Sequence, residues 1–417
     1  METKHLPLEE LRSIVGEGHV REATAEDAVE GVEPSLVVEP GSVEEASELM
    51  RLAAREGLVV APRGGGTKMY IGDPPTALDL IVSTARMNEI IEHVPGDQVV
   101  RVQAGMGLGE LQDQLSGTEQ MLAIDPPEEG ATIGGIVAAN SSGSRRLRYG
   151  TIRDLIIGIT VVLHDGTVAK AGGKVVKNVA GYDLSKLFTG SLGTLGIIAT
   201  ANFRLHPIPE ASRTVAVEVE SPQAAGEAAQ AIVHSQIEAS AVELHWSEQT
   251  RLLTVLVESI PAGVEEKAET ASFLLRPFGE VREFSEGEVE HLPVDDEIAV
   301  KIAAPPADLA DVLGTVLRAA GRRGLAHPRL TGHAASGVTF VGLSGGEEEA
   351  HALFVEEMRE IWVRRGGSVT LQRAPLALKN RVGTWDNGGD YLGLIRRVKE
   401  KFDPRGGLNP GRFVGGI

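Results

Sequence analysis

The sequence predicts an α+β protein made of two successive domains. Three observations carry that prediction. A strand–helix–strand pattern with capping residues opens the chain, two prolines in "HPIPE" (206–210) interrupt the strand-like runs, and amphipathic helices then alternate with strands. A length of 417 residues leaves room for two domains of ordinary size.

Residues 1–29 form a polar N-terminal segment. "SLVVEP" then reads as a short strand and "GSVEEASELMRLAAREG" as a helix. Ser42 stands at its N-cap with Glu45 three residues on, a capping-box spacing, and Gly57 falls where a glycine commonly closes a helix. "LVVAP" supplies the second strand. "DLIVST", "QVVRVQAG", "LIIGITVVLHDGTV" and "GIIATANFRL" add strand-like runs bounded by Gly, Pro or Asp, and Asp165-Gly166 reads as a two-residue hairpin turn. Beyond the prolines, "SPQAAGEAAQAIVHS" and "PADLADVLGTVLRAAGRRG" read as amphipathic helices, and "RLLTVLVES", "DEIAVKIAA" and "GVTFVGLS" as the strands between them. That alternation predicts a second domain of α+β type with an antiparallel sheet. A basic helix ending at Phe402 precedes a Pro/Gly-rich tail. The expected divisions behind the N-terminal segment are therefore 30–209, 210–400 and 401–417.

A net charge of −19 argues against a general nucleic-acid binder, which needs clustered Lys and Arg against phosphates. The absence of cysteine excludes disulfides, thiolate metal sites, cysteine nucleophiles and iron–sulfur ligation by this chain. No run approaches the roughly 18 apolar residues that span a bilayer. "METKHLPLEE" lacks the hydrophobic core of a signal peptide, so the expected location is the cytoplasm, with any association with the inner membrane made through partners.

The stretch that demands a function is "VVAPRGGGTKMYIG" (59–72), three consecutive glycines directly behind a strand. Glycine loses the most backbone entropy on folding, so a run of three implies close backbone approach to something. The two common nucleotide motifs do not fit. "GGGTK" lacks P-loop spacing, and "GMGLGE" places Glu110 at the third glycine of a dinucleotide fingerprint. Two further small-residue patches follow, "GATIGGIVAANSSGSRRLRYGTIRD" and "GYDLSKLFTGSLGTLGIIAT". Three such patches suit one long ligand threaded along backbone.

In this order and combination the patches resemble the flavin-binding domain of the vanillyl-alcohol oxidase and p-cresol methylhydroxylase type, over roughly residues 36–209. The resemblance implies a two-subdomain FAD-binding domain followed by an α+β C-terminal domain with an antiparallel sheet. It places the FAD pyrophosphate on the backbone of Arg63, Gly64, Gly65, Gly66 and Thr67. It sets Pro126, Thr132, Gly134, Gly135, Asn140, Ser142 and Gly143 along the diphosphate and isoalloxazine, with Gly196 and Ile198 meeting the cofactor through backbone. Members with covalent flavin commonly carry a histidine beside the first loop. Thr67-Lys68 stands there instead, so noncovalent FAD is expected.

Within this type, "GGKVVKNVAGYDLSKLFTGSLGTLG" and "FDPRGGLNPGRF" look like the smaller FAD-binding subunits of bacterial glycolate oxidases. That resemblance implies a small 2-hydroxyacid substrate, a larger FAD-binding 2-hydroxyacid dehydrogenase subunit and an iron–sulfur subunit. It also implies a tail folded back near the flavin, with Asn409 and Arg412 fixing the ring or an anion. The plainer alternatives are a Pro/Gly turn and a surface arginine.

The departures concern catalysis. Related D-2-hydroxyacid dehydrogenases carry H-x-G-D-G-N-x-H, where this chain has "GHAASGVTF", keeping His333 but placing Ala335, Ser336 and Phe340 at the other positions. One histidine builds no metal site, and none is expected. The region matching their E-H-G-x-G motif, "APLALKNRVGTWDNGG", has neither Glu nor His, and Leu192 replaces a usual glutamate. His333 reads as a remnant base or a packed side chain, and Lys177 as flavin-facing or solvent-exposed. No residue is assigned as catalytic. Three readings stand: an FAD subunit of a glycolate oxidase or dehydrogenase complex, a stand-alone flavin dehydrogenase, and a non-catalytic subunit that keeps the fold.

Overall fold

The computed structural model describes residues 6–173, 183–284, 296–386 and 389–417. Two compact units are formed, one from Met1–Ser141, Thr151–Pro207 and Asn387–Ile417, the other from Ser142–Gly150 and Ile208–Asp386.

The first unit holds two main sheets. A four-stranded sheet runs in the order Val20–Glu22, Leu36–Val38, Leu80–Ser83, Val60–Arg63, parallel except for its first strand. The helix Val43–Glu56 packs on it because Ala46, Leu49, Met50, Leu52 and Ala53 share one face and are buried. Ser42 Oγ accepts from the Glu45 amide at 3.0 Å, the expected cap, while Glu45 itself reaches back to the Gly41 amide at 2.7 Å. The segment before residue 30 is integral to this core, with Leu11 and Val15 buried against the same helix. A five-stranded antiparallel sheet follows, ordered Ile90–Val94, Val99–Gln103, Ile197–Arg204, Ile156–Val162, Val168–Gly172. Its hairpin differs from expectation: Leu163 bonds to Thr167 at 2.9 Å, so the turn spans three residues with Gly166 at positive φ, a geometry the right-handed strand twist also accepts.

The second unit is one eight-stranded sheet, antiparallel throughout. Alternate residues such as Val215, Val217, Leu253, Val255, Val300, Ile302 and Leu371 join a single core with the helices Pro222–Val233, Pro261–Leu275, Leu309–Arg322 and Glu348–Arg364. The segment Ser142–Gly150 belongs here because Arg145 meets the buried Glu258 carboxylate at 2.7 Å and Arg148 donates to the Glu258 carbonyl at 2.6 Å. The chain crosses between units at Pro207–Ile208, within the proline break. The helix Leu392–Phe402 lies in the first unit, not in the second as the division at residue 400 had it. Phe402 sits edge-on to Phe188 with ring centroids 5.7 Å apart, and Lys399 is buried beside it.

Candidate cofactor site

A cleft enclosing about 830 Å³, part of it open to solvent, lies entirely within the first unit. Its first wall is the glycine loop that leaves the strand Val60–Arg63. The close approach there is made first by the protein itself. A Cβ on Gly64 would sit 2.0 Å from Thr132 Oγ1, and one on Gly65 would sit 2.1 Å from the Gly130 carbonyl oxygen. No side chain fits at either place. The Gly65 amide donates to Thr132 Oγ1 at 3.2 Å, whereas the amides of Gly64, Gly66 and Thr67 have no acceptor among the described residues. Unmet amides facing a cleft fit an anion such as a diphosphate.

Arg63 lines the cleft, yet its guanidinium is committed: Nη1 meets Asp27 Oδ1 at 2.8 Å, and Asp27 also takes two bonds from Arg21 at 2.7 and 2.8 Å. Arg21, with the Thr24 amide and Arg63, holds the Asp27 carboxyl well below the usual carboxylate range despite its burial. Across the cleft Lys68 pairs with Glu128 at 2.9 Å, and Glu128 also accepts from Ser141 Oγ at 3.1 Å. Ile136, Ala138, Leu192 and Ile198 give the remaining wall its apolar character.

The tail completes the site. Val60 donates to the Gly407 carbonyl at 2.8 Å and Asn409 donates back to the Val60 carbonyl at 2.9 Å, so the tail runs beside the strand that carries the glycine loop. Lys399 fixes it there. Its buried ammonium donates to Thr194 O, Asp403 Oδ2 and Leu408 O at 2.8, 2.6 and 2.7 Å, and Asp403 accepts from the Gly407 and Leu408 amides at 3.0 and 2.8 Å. Asn409 adopts φ +45° and donates Nδ2 to the Leu192 carbonyl at 2.8 Å, while its buried Oδ1 has no partner among the described residues. Leu192, at φ +52°, is one of the few non-glycine residues held left-handed, a strained conformation beside the cleft. Arg412 is not a surface arginine: it is 2% exposed and donates to the carbonyls of Met69, Ile71 and Asp73 at 2.7, 2.5 and 3.1 Å. Burial pushes its guanidinium down to about 10.

Of the residues named from the sequence, Arg63, Gly64, Gly65, Gly66, Thr67, Thr132, Gly134, Gly135, Gly196, Ile198, Asn409 and Arg412 line this cleft. Pro126 and Asn140 do not; Asn140 closes the helix Ile133–Ala139 in a left-handed conformation. Ser142 and Gly143 also do not, and they belong to the second unit, while the neighbouring Ser141 lines the cleft. Gly134 and Gly196 have a packing reason as well, since a Cβ would fall 2.7 Å from Ala104 Cβ and 2.8 Å from the Val162 carbonyl oxygen. Sequence reading missed Asp27, Glu128, Lys399 and Asp403. Only the Lys399/Asp403 spacing of four on a helix offered a signal.

Among the described residues no histidine, tyrosine or cysteine lines the cleft. In the second unit His333 lies 3.9 Å from Glu243 on the adjacent strand and edge-on to Phe340 at 6.0 Å. Among the described residues no three His, Asp or Glu side chains converge as a metal site would need. Lys177 lies outside the described residues.

The glycine cradle, the apolar wall and the unpartnered Asn409 Oδ1 suit a flavin, and the family matches and shared fold define the class: a flavoprotein with a PCMH-type FAD-binding domain. Residues 34–172 match the family "FAD binding domain", and residues 208–275 and 296–413 match "FAD linked oxidases, C-terminal domain". The chain belongs to the FAD-linked oxidase family, and its cofactor is FAD. It is 34% identical to the glycolate oxidase subunit GlcD of Bacillus subtilis over 226 residues, 53% of this chain and 47% of that one. To a D-lactate dehydrogenase of Archaeoglobus fulgidus it is 38% identical over 181 residues, 43% of this chain and 40% of that one. The matched regions thus span about half or less of both relatives. The solved structure of p-cresol methylhydroxylase with substrate bound aligns at a TM-score of 0.76 and 16% identity, covering 97% of this chain and 95% of that one, which shows the shared fold.

Proposed function

We propose that this chain is the FAD-binding subunit of a glycolate (2-hydroxyacid) oxidase or dehydrogenase complex, holding FAD noncovalently and passing electrons to partner subunits. One observation carries the reading: among the described residues the cleft offers a glycine-lined cradle and no free base. Glu128 is the only lining carboxylate among them, and it is tied to Lys68 and Ser141. A base for a substrate hydroxyl is normally an uncommitted His or carboxylate within reach.

Bound FAD supplies a two-electron acceptor for the hydride of a CH–OH carbon. The chain's own residues then divide the binding. The amides of Gly64, Gly66 and Thr67 would hold the diphosphate, Ile136 and Ile198 would exclude water from the ring, and Asn409 Oδ1 would accept from a ring N–H. Arg412 keeps a buried positive charge beside them. A larger FAD-binding subunit would bring metal and base, and an iron–sulfur subunit would carry electrons onward. The likeness to the glycolate oxidase subunit supports this division, as does the absence of cysteine here.

A second reading, a stand-alone 2-hydroxyacid dehydrogenase, draws on the His333–Glu243 pair and the likeness to a D-lactate dehydrogenase. Anaerobic addition of glycolate or D-lactate to the flavin-loaded chain separates the two. The proposal expects flavin absorbance to persist with the chain alone and glycolate-dependent dye reduction to require co-expressed partner subunits. Bleaching by the isolated chain would establish the second reading.

A further inference from the structure

The helix Leu392–Phe402 has two unlike faces. One side is buried: Val398 and Phe402 pack on the first unit's core, and Lys399 anchors the tail segment that carries Asn409 into the cofactor cleft. The other side carries Leu394, Arg397 and Lys401 at spacings of three and four, and Tyr391 stands in the turn just before the helix. Tyr391 and Leu394 are each 56% exposed. Arg397 and Lys401 meet no carboxylate among the described residues, and Arg396, exposed on the same helix, donates only to the Gly415 carbonyl. On a chain of net charge −19 this helix face is cationic, with an exposed apolar pair at its N-terminal end.

We propose that this helix face is the docking surface for an acidic electron-acceptor protein, with Leu394 and Tyr391 giving it an apolar end and Arg396, Arg397 and Lys401 steering its approach. The inference rests on the reading of this chain as an electron-passing flavoprotein. Complementary charge chooses an acidic partner and speeds its encounter. An anionic bilayer fits less well, because the rest of the chain repels it and two apolar side chains bury little area. Position favours electron transfer, since only one helix, about 10–12 Å across, separates this face from the segment that lines the cleft. In that transfer the reduced cofactor gives one electron to each of two oxidised acceptor centres (ferric haems when the cytochrome probe below is used), and two protons go to water.

The test uses flavin-loaded protein, photoreduced anaerobically, with the acidic haem domain of cytochrome b5 as probe and basic cytochrome c as control. The acidic probe should be reduced at least about tenfold faster than the basic one, with a rate that falls as salt rises. The double variant Arg397→Glu/Lys401→Glu should lose about tenfold in that rate and in binding of the acidic probe by sedimentation, while retaining its flavin spectrum and its reduction of a small dye. Unchanged rate and binding in the variant would overturn the docking surface. So would unchanged cytochrome reduction with loss of binding to phosphatidylglycerol vesicles, which would make this face a lipid contact. A chain that holds no flavin to photoreduce overturns the electron-passing reading and this inference together; insensitivity to charge in a flavin-loaded chain overturns this inference alone.

Discussion

Replacing Lys399 with methionine removes one of the buried cations that tie the tail to the cofactor cleft. Its ammonium meets three acceptors, Thr194 O, Asp403 Oδ2 and Leu408 O, and the Asp403 side chain it neutralises is fully buried. Breaking a buried ion pair from one side typically costs about 3–5 kcal/mol, because the other charge stays behind. Asp403 keeps two amide donors, which trims the loss, while two carbonyls lose theirs at about 1 kcal/mol each. A net cost of about 3–5 kcal/mol is therefore expected, a large part of the roughly 5–15 kcal/mol that holds a typical domain. The tail can also release before the unit unfolds, and Asn409 and Arg412 then leave the cleft. Denaturant unfolding followed by circular dichroism, with released flavin measured in parallel, reads both outcomes. K399M should lose FAD at lower denaturant than the parent, and K399M/D403N should recover part of the difference because no charge is left unpaired. Burial holds the Lys399 ammonium below the ordinary lysine value of 10.5. The folded state therefore binds fewer protons than the unfolded chain just below that value, and parent stability should rise with pH there, a slope K399M lacks. Parent-like midpoint and flavin retention in K399M would refute the reasoning.

Three further outcomes are expected. Gly65→Leu drives a side chain into the Gly130 carbonyl, so it should purify with little or no FAD while the second unit's antiparallel sheet keeps its circular-dichroism signature; normal flavin content would show that the loop yields. Asp27→Asn should flatten acid sensitivity: the Asp27 carboxyl is held below its ordinary value of 3.8, chiefly by Arg21, so its stabilisation is present above that value and lost as pH falls beneath it, measurable as urea midpoints across that range. Asn409→Ala removes the bond to Leu192 and the unpaired Oδ1, and FAD affinity by equilibrium titration should weaken about tenfold, the loss of roughly one good hydrogen bond.

Much of the cleft was legible because it is written locally. The glycine run, the small-residue patch around Gly134 and the strand entered at Gly196 each sit in one short stretch, and backbone approach leaves a compositional mark. The caps of the helix Val43–Glu56 were legible for the same reason. The partners of those stretches were not. Asp27 lies 36 residues from the Arg63 it anchors, and no periodicity links them. Arg412 is more than 300 residues from Met69 and Ile71, so its burial depended on where the tail returned. The segment Ser142–Gly150 continues the small-residue patch in sequence but is drawn to the second unit by Arg145 and Glu258, which is why Ser142 and Gly143 do not line the first unit's cleft. The shared glycine signal also concealed a choice: Gly64 and Gly65 make room for Thr132 and Gly130 before they make room for any ligand.

The most direct test of the central claim is the absorbance spectrum of the purified chain, before and after added FAD, followed by acid precipitation. The account predicts flavin bands that survive gel filtration and pass wholly into the supernatant on denaturation. Flavin retained in the precipitate would contradict noncovalent binding, and no flavin bands even with FAD in excess would contradict the cofactor site itself.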